Sequence, residues 1–350
     1  MNNQVFPQLD GLRALAAFLV LVHHYWPALG RWDPTGGRLG VDLFFVLSGY
    51  LITRSLRRAQ NLHPEDRLAI VGPFYRRRIL RIVPVYYVTL VMTLLLPTER
   101  TPIFFWHLSF LSNIGFIARG SFTGSSAQFW ALAVEQQFYL FWPLALMLFP
   151  RRRQVAAGAG LVAAGVGFRI LAGLSGWSHL TIDILTPGAF ETLGAGACLA
   201  FWMERRESES DRCSAALVTA LCTGAALLVV VAAAKGTSFG FWTELVGTEL
   251  GRALILAFVV AQAAWGIPGW VGRALQSVVL RSLGFWSYGI YLSHNFFYAV
   301  AKANGWKFVG LSAQNTQSLA ALGFTLGYSY VCFELFEKPL FPNRATGKAG

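Results

Sequence analysis

The sequence predicts an all-α protein, a polytopic membrane helix bundle of about ten transmembrane helices with cytoplasmic N- and C-termini. Three observations predict it. Hydrophobic residues make up 55% of the 350 and charged residues only 13%, against about a quarter in ordinary soluble chains. The apolar residues gather into runs close to the roughly 20 residues that one bilayer crossing needs. Arginine and lysine are distributed unequally between alternate connections, as the orientation rule for membrane proteins requires.

The runs cover 11–29, 39–56, 82–96, 129–149, 154–174, 183–202, 214–234, 245–264, 283–301 and 317–336. With the N-terminus inside, segment 54–81 holds eight arginines on the cytoplasmic side, 151–153 three, 203–213 three, 265–282 two, and the tail after 336 three basic residues. The outer connections share seven: Arg31, Arg38, Arg100, Arg119, Lys235, Lys302 and Lys307. No basic segment precedes the first run, so 12–29 is expected to be an uncleaved span and not a signal peptide. Segment 103–118 is apolar and aromatic, but counting it as a span would move Arg151–Arg153 outside; it is expected to be a re-entrant or interfacial element. The domain expectation is one membrane-embedded unit over 1–340, with 54–81 as a basic cytoplasmic loop and 341–350 as a short cytoplasmic tail.

The net charge of +12 follows from these inner loops and needs no nucleic acid as partner. Cys198, Cys213, Cys222 and Cys332 lie in or beside apolar segments without paired spacing, which argues against a disulfide framework and a zinc site. No metal is expected.

The first span, Leu9–Leu29, carries one arginine and two adjacent histidines in a stretch apolar enough for a bilayer. Ionisable groups there are costly and are usually paired or functional. Arg13 and His24 are eleven residues apart, which on a helix is three turns with about 20° of offset and roughly 16 Å of rise. His23 falls about 80° to the other side of Arg13. The pattern fits an anion grip at one face with proton chemistry deeper in; it also fits an arginine snorkelling to headgroups and histidines at the far interface.

Asp42 opens the second span, where a carboxylate suits the helix N-terminus, and Ser48-Gly49 is small enough for close approach of a helix or ligand. Arg78 and Arg81 share a helix face at the inner surface. Their forks suit phosphate oxygens, while a topogenic or anionic-lipid role needs only their charge. Glu135 sits in an otherwise apolar run beside Gln136 and Gln137, and a carboxylate there needs a partner. Arg169, Glu191, Glu249, Arg252 and His294 lie in or near later spans and can pair structurally. Among them His294, within Tyr291-Leu292-Ser293-His294-Asn295, is the one worth testing for function. His107 and His179 lie outside the runs.

These pieces together resemble the acyltransferase-3 family of integral-membrane O-acyltransferases. The resemblance rests on Arg13–ten residues–His24, on the GVDLFFVLSGYLI segment from Gly40 to Ile52, on Arg78-x-x-Arg81 before Pro84, and on Val134-Glu135-Gln136-Gln137-Phe138-Tyr139. Four motifs in the family's order within the first 145 residues are specific. The remainder matches in hydropathy and in Phe336-Glu337-Lys338-Pro339. One departure is that Gln136 stands where the family often has a second acidic residue. Some members carry a fused extracytoplasmic hydrolase-like domain; none is expected in the sequence up to Gly350.

The resemblance implies transfer of an acyl group, commonly acetyl, from a cytoplasmic acyl-CoA to a hydroxyl. The acceptor would be a glycan, glycolipid or similar molecule of a bacterial envelope, at the inner membrane. Arg78 and Arg81, with Arg13, would meet the phosphates of the acyl-CoA (acetyl-CoA), and His24 would take the hydroxyl proton as general base. An acyl-histidine intermediate is the alternative course. By helical rise His24 lies about 8 Å and Glu135 about 9 Å below the outer interface, with Asp42 at about 5 Å. Glu135 is therefore the expected orienting partner and Asp42 the reserve. A proton-coupled transporter with an intramembrane His/Glu site is the competing class, although no inverted repeat is visible.

Overall fold

The structure, a computed structural model, describes residues 6–26, 37–63, 66–94, 103–120, 124–205, 214–305 and 310–340. Arg31, Arg100, Arg206, Arg212, Lys307, Arg344 and Lys348, Cys213, the run ends 27–29 and 95–96, and the tail 341–350 lie outside these residues. Among the described residues all regular structure is helical, and each apolar run is helical apart from run-end residues (Trp26, Leu94, Phe149 and Ser214) and a break at Leu185 inside 183–202. Among the described residues five helices are long and apolar enough to cross a membrane by length and composition: Arg38–Leu62, Phe129–Leu148, Arg151–Leu174, Ala215–Ala234 and Ala313–Glu337. The number rises to six if Gly240–Trp265 and Gly269–Leu275, bent by 85°, count as one crossing.

Helix α1 (Pro7–Tyr25) starts with Pro7 in its first turn, where a missing N–H costs nothing. Helices α2 (Arg38–Leu62) and α3 (Arg67–Thr93) both run well into the basic segment 54–81. Leu56, Arg57, Arg58, Ala59 and Gln60 are good helix formers, so the helix outlasts the apolar pattern that marks the span. In 103–118, α4 (Ile103–Leu108) and α5 (Ser112–Arg119) have six and eight residues, each too short to cross a hydrocarbon core of about 30 Å. Then follow α6 (Phe129–Leu148), α7 (Gln154–Leu174), α8 (His179–Ile184), α9 (Phe190–Glu204), α10 (Ala215–Ala234) and α11 (Gly240–Trp242). A π-helical turn, Thr243–Gly247, leads into α12 (Thr248–Trp265). The last elements are α13 (Gly269–Leu275), α14 (Val278–Ala303) and α15 (Ala313–Cys332), the last continued by a π-helical turn, Phe333–Glu337.

The chain divides into two compact units. The first comprises 1–41, 74–133 and 268–350; in it α14 packs against both α1 and α15, and α13 against α1. Gly284 permits a close approach of α14 to α1, since a Cβ there would lie 2.0 Å from the Asp10 carbonyl oxygen. In the same unit His107, which the sequence did not single out, is 2% exposed. Its ring nitrogens bond the hydroxyls of Ser112 (2.7 Å) and Ser126 (3.1 Å), and the Tyr86 hydroxyl donates to its carbonyl.

The second unit comprises 42–73 and 134–267; in it α7 packs on α9, and both α9 and α10 pack on α12. Here α2 crosses α9 at two glycines. A Cβ on Gly49 would lie 2.1 Å from the Leu193 carbonyl oxygen, and one on Gly196 would lie 2.2 Å from that of Val46. Of the two readings open for Ser48-Gly49, close helix packing is thus realised. Charged groups buried in this unit pair with one another. Arg169 meets Glu191 (2.8 Å) and Asp183 (2.6 Å) and donates to the Gly188 carbonyl. Arg252 bonds Glu249 and lies 2.9 Å from Asp42.

Candidate functional site

Two polar constellations, one in each unit, contain the residues singled out by the sequence. The first is built on α1. Because α1 is one continuous helix from Pro7 to Tyr25, the eleven-residue spacing holds and puts Arg13 and His24 on one face. Arg13 Nη1 lies 3.8 Å from Asp10 Oδ1, one turn back. At the other end the His24 ring lies against the His294 ring of α14, centroid to centroid 4.8 Å, with His23 edge-on to His24 at 5.3 Å.

That end of α1 is held by its neighbour, Tyr25. The Tyr25 hydroxyl donates to the His294 carbonyl at 2.9 Å, meets Thr325 Oγ1 of α15 at 2.8 Å, and its ring stacks on Tyr298. The segment around His294 is pinned from a further side by Gln128. Its Nε2 donates to the Leu292 carbonyl (2.6 Å), while its Oε1 accepts from Asn295 Nδ2 (2.9 Å).

Arg78 and Arg81 also belong to this unit. The Arg78 guanidinium sits over the Phe74 ring at 5.7 Å. Arg81 Nε donates to Glu337 Oε2 at 2.8 Å, so the second arginine of the pair is anchored to the π-helical turn that ends α15. Nothing in the sequence signalled that partner, 256 residues away.

The second constellation surrounds Glu135 on α6. Its Oε1 accepts from the hydroxyls of both Ser48 and Tyr139, two donors that compensate for taking a carboxylate away from water. Tyr139 was legible, being four residues on and therefore on the same helix face. In the sequence Ser48 stands out only by its small size. Asp42 is fully buried, and its partner is Arg252. Glu135 and Asp42 thus have separate partners within one unit.

The acyltransferase-3 family, described as an acyltransferase domain, matches residues 6–334. The chain belongs to that family. With its apolar helices, membership makes it a multi-pass membrane protein. It is 28% identical over 329 residues to the peptidoglycan O-acetyltransferase OatA of Listeria monocytogenes serovar 1/2a (strain ATCC BAA-679 / EGD-e), covering 84% of this chain and 49% of the relative. It is 30% identical over 320 residues to a Bacillus subtilis (strain 168) protein named "Putative peptidoglycan O-acetyltransferase YrhL", covering 84% and 48%. The acyltransferase-3 chain therefore spans about half the length of these curated relatives. No solved structure matches it.

Proposed function

We propose that this acyltransferase-3 chain is a membrane O-acetyltransferase of a bacterial cytoplasmic membrane, moving acetyl from acetyl-CoA to a hydroxyl of a cell-wall glycan. Two relatives named as peptidoglycan O-acetyltransferases support that acceptor class. Both termini lie on the cytoplasmic side in this reading, and Arg78, Arg81 and Arg13 receive the phosphates of the donor.

The observation that carries the reading is the imidazole of His24, held on the Arg13 face of α1 in the domain that the family covers. In the reaction His24 takes the proton of the acceptor hydroxyl as its oxygen attacks the thioester carbonyl. The C–O bond forms, the C–S bond breaks, and the proton passes from the imidazolium to the departing thiolate, leaving CoA as the free thiol. Glu135 is the second group required for turnover. Asp42, paired with Arg252, serves the packing of α2 and α12.

Purified protein in proteoliposomes, supplied with labelled acetyl-CoA and an N-acetylglucosamine oligomer, tests this. Release of CoA thiol and label in the oligomer are both read. His24→Ala and Glu135→Gln each abolish turnover, and His23→Ala keeps most of it. A fully active His24→Ala protein overturns the reading of the base. A dead His23→Ala with an active His24→Ala overturns the helical-face argument itself.

A further inference from the structure

His294 is fully buried, and its two ring nitrogens are treated differently. Nδ1 lies 2.7 Å from the Tyr291 carbonyl oxygen. A carbonyl only accepts, so Nδ1 carries a proton and donates it. In the neutral ring the lone pair is then on Nε2. That nitrogen is buried and has no hydrogen-bond partner among the described residues. A core histidine kept for packing satisfies both nitrogens, as His107 does with two serines. A buried acceptor left open calls for a separate explanation.

The surroundings supply one. The ring next to His294 is that of His24, at 4.8 Å. Two imidazoles at that separation can bring one nitrogen of each into hydrogen-bond distance by ring rotation alone. The backbone around His294 is held by Tyr25 on its own carbonyl and by Gln128 on that of Leu292, so the imidazole keeps its tautomer and place while a proton moves beside it. The other titratable side chains around the pair are His23 and Tyr25 on α1 and Tyr291 and Tyr298 on α14, and α15 contributes the Thr325 hydroxyl.

The geometry points to His294 as a positioning residue for the acetyl transfer: its Nε2 accepts an N–H bond from the His24 imidazolium that forms when the hydroxyl loses its proton. This rests on the reading of His24 as the base. No hydrogen bond between the two rings is present in the resting structure. The bond is therefore made as charge appears on His24, and an interaction made only then lowers the barrier without tightening substrate binding. No atom is consumed. The His24 N–H facing His294 holds the bond to Nε2, while the abstracted proton stays on the other His24 nitrogen until it goes to the thiolate.

The test is His294→Asn, whose amide N–H can still donate to the Tyr291 carbonyl while Nε2 is gone. In the same proteoliposomes kcat is expected to fall roughly ten- to a hundredfold, the loss of one charge-assisted hydrogen bond. KM for acetyl-CoA and for the oligomer stays within about twofold of wild type, because binding is not touched. Wild-type kcat in a folded His294→Asn protein overturns the proposal and leaves His294 a packing residue; so does a change confined to KM. Should the Asn variant fail to fold, His294→Leu, which fills the same space and carries no acceptor, is read by the same criteria. His24→Ala, run in parallel, separates the two levels. If it is inactive while His294→Asn is normal, only the pairing fails; if it is active, the reading of the base fails.

Discussion

Arg81 has an internal partner, Glu337 at 2.8 Å, and the donor reading asks its other N–H groups to meet phosphate as well. Carboxylate and phosphate favour the same fork geometry, so the ion pair fixes the side chain near the place where the anion would arrive. Replacing Arg78 or Arg81 by Ala is expected to raise KM for acetyl-CoA by about ten- to a hundredfold, with acceptor KM little changed and normal membrane insertion. Steady-state kinetics on reconstituted variants checks this. Failed insertion, or a change in acceptor KM alone, would assign the two arginines to topology.

His107 gives a second prediction at the same scale. It lies outside the membrane-spanning segments, and burial lowers its pKa from 6.5 to about 4. A folded-state value below the unfolded one means that its contribution is complete above the unfolded pKa and is lost as pH falls from about 6.5 towards 4. Wild type should therefore lose more thermal stability in detergent between pH 7.5 and 5 than His107→Gln, at up to about 1.4 kcal/mol per pH unit. Melting curves of both proteins at the two pH values decide it; parallel losses would show that His107 does not titrate in that window.

At the scale of elements, the crossing of α2 and α9 is sensitive to a small change on either helix. Gly49 and Gly196 each lie where a Cβ would press on a backbone carbonyl of the other helix, and backbone cannot rotate out of the way. Gly49→Ala or Gly196→Ala should destabilise by about 1–3 kcal/mol, the usual cost of overpacking. Loss of monodisperse protein or a lowered melting temperature checks this. Gly72, with nothing within 4 Å of its Cβ position, is the control that should tolerate alanine.

For the whole molecule, the uneven distribution of arginines predicts both ends on the cytoplasmic side. Single cysteines placed at 63 and 347 should resist membrane-impermeant maleimide in intact cells and react after permeabilisation. Labelling of either in intact cells would reverse the orientation.

The helices themselves were legible without coordinates, since hydropathy over about 20 residues and helical spacing are local properties. So was the alignment of Arg13 with His24, which needs only 100° per residue. The ends of α2 and α3 were not legible from hydropathy, because arginine and glutamine keep a helix going after apolar character stops. Glu135 was found as a carboxylate in apolar surroundings, and Tyr139 could have been found with it by its i, i+4 spacing. Ser48, 87 residues away, could not. Arg81 with Glu337, Asp42 with Arg252, and His24 with His294 are likewise remote in sequence. Which faces meet depends on how helices pack, and that is set by crossings such as Gly49 on Leu193 and Gly284 on Asp10. The sequence alone determined that this is a helical membrane chain and which of its ionisable side chains fall in apolar runs. Only the tertiary structure decided their partners, because a buried charge or lone pair is satisfied by whatever the packed neighbour presents, and hydropathy carries no record of the neighbour.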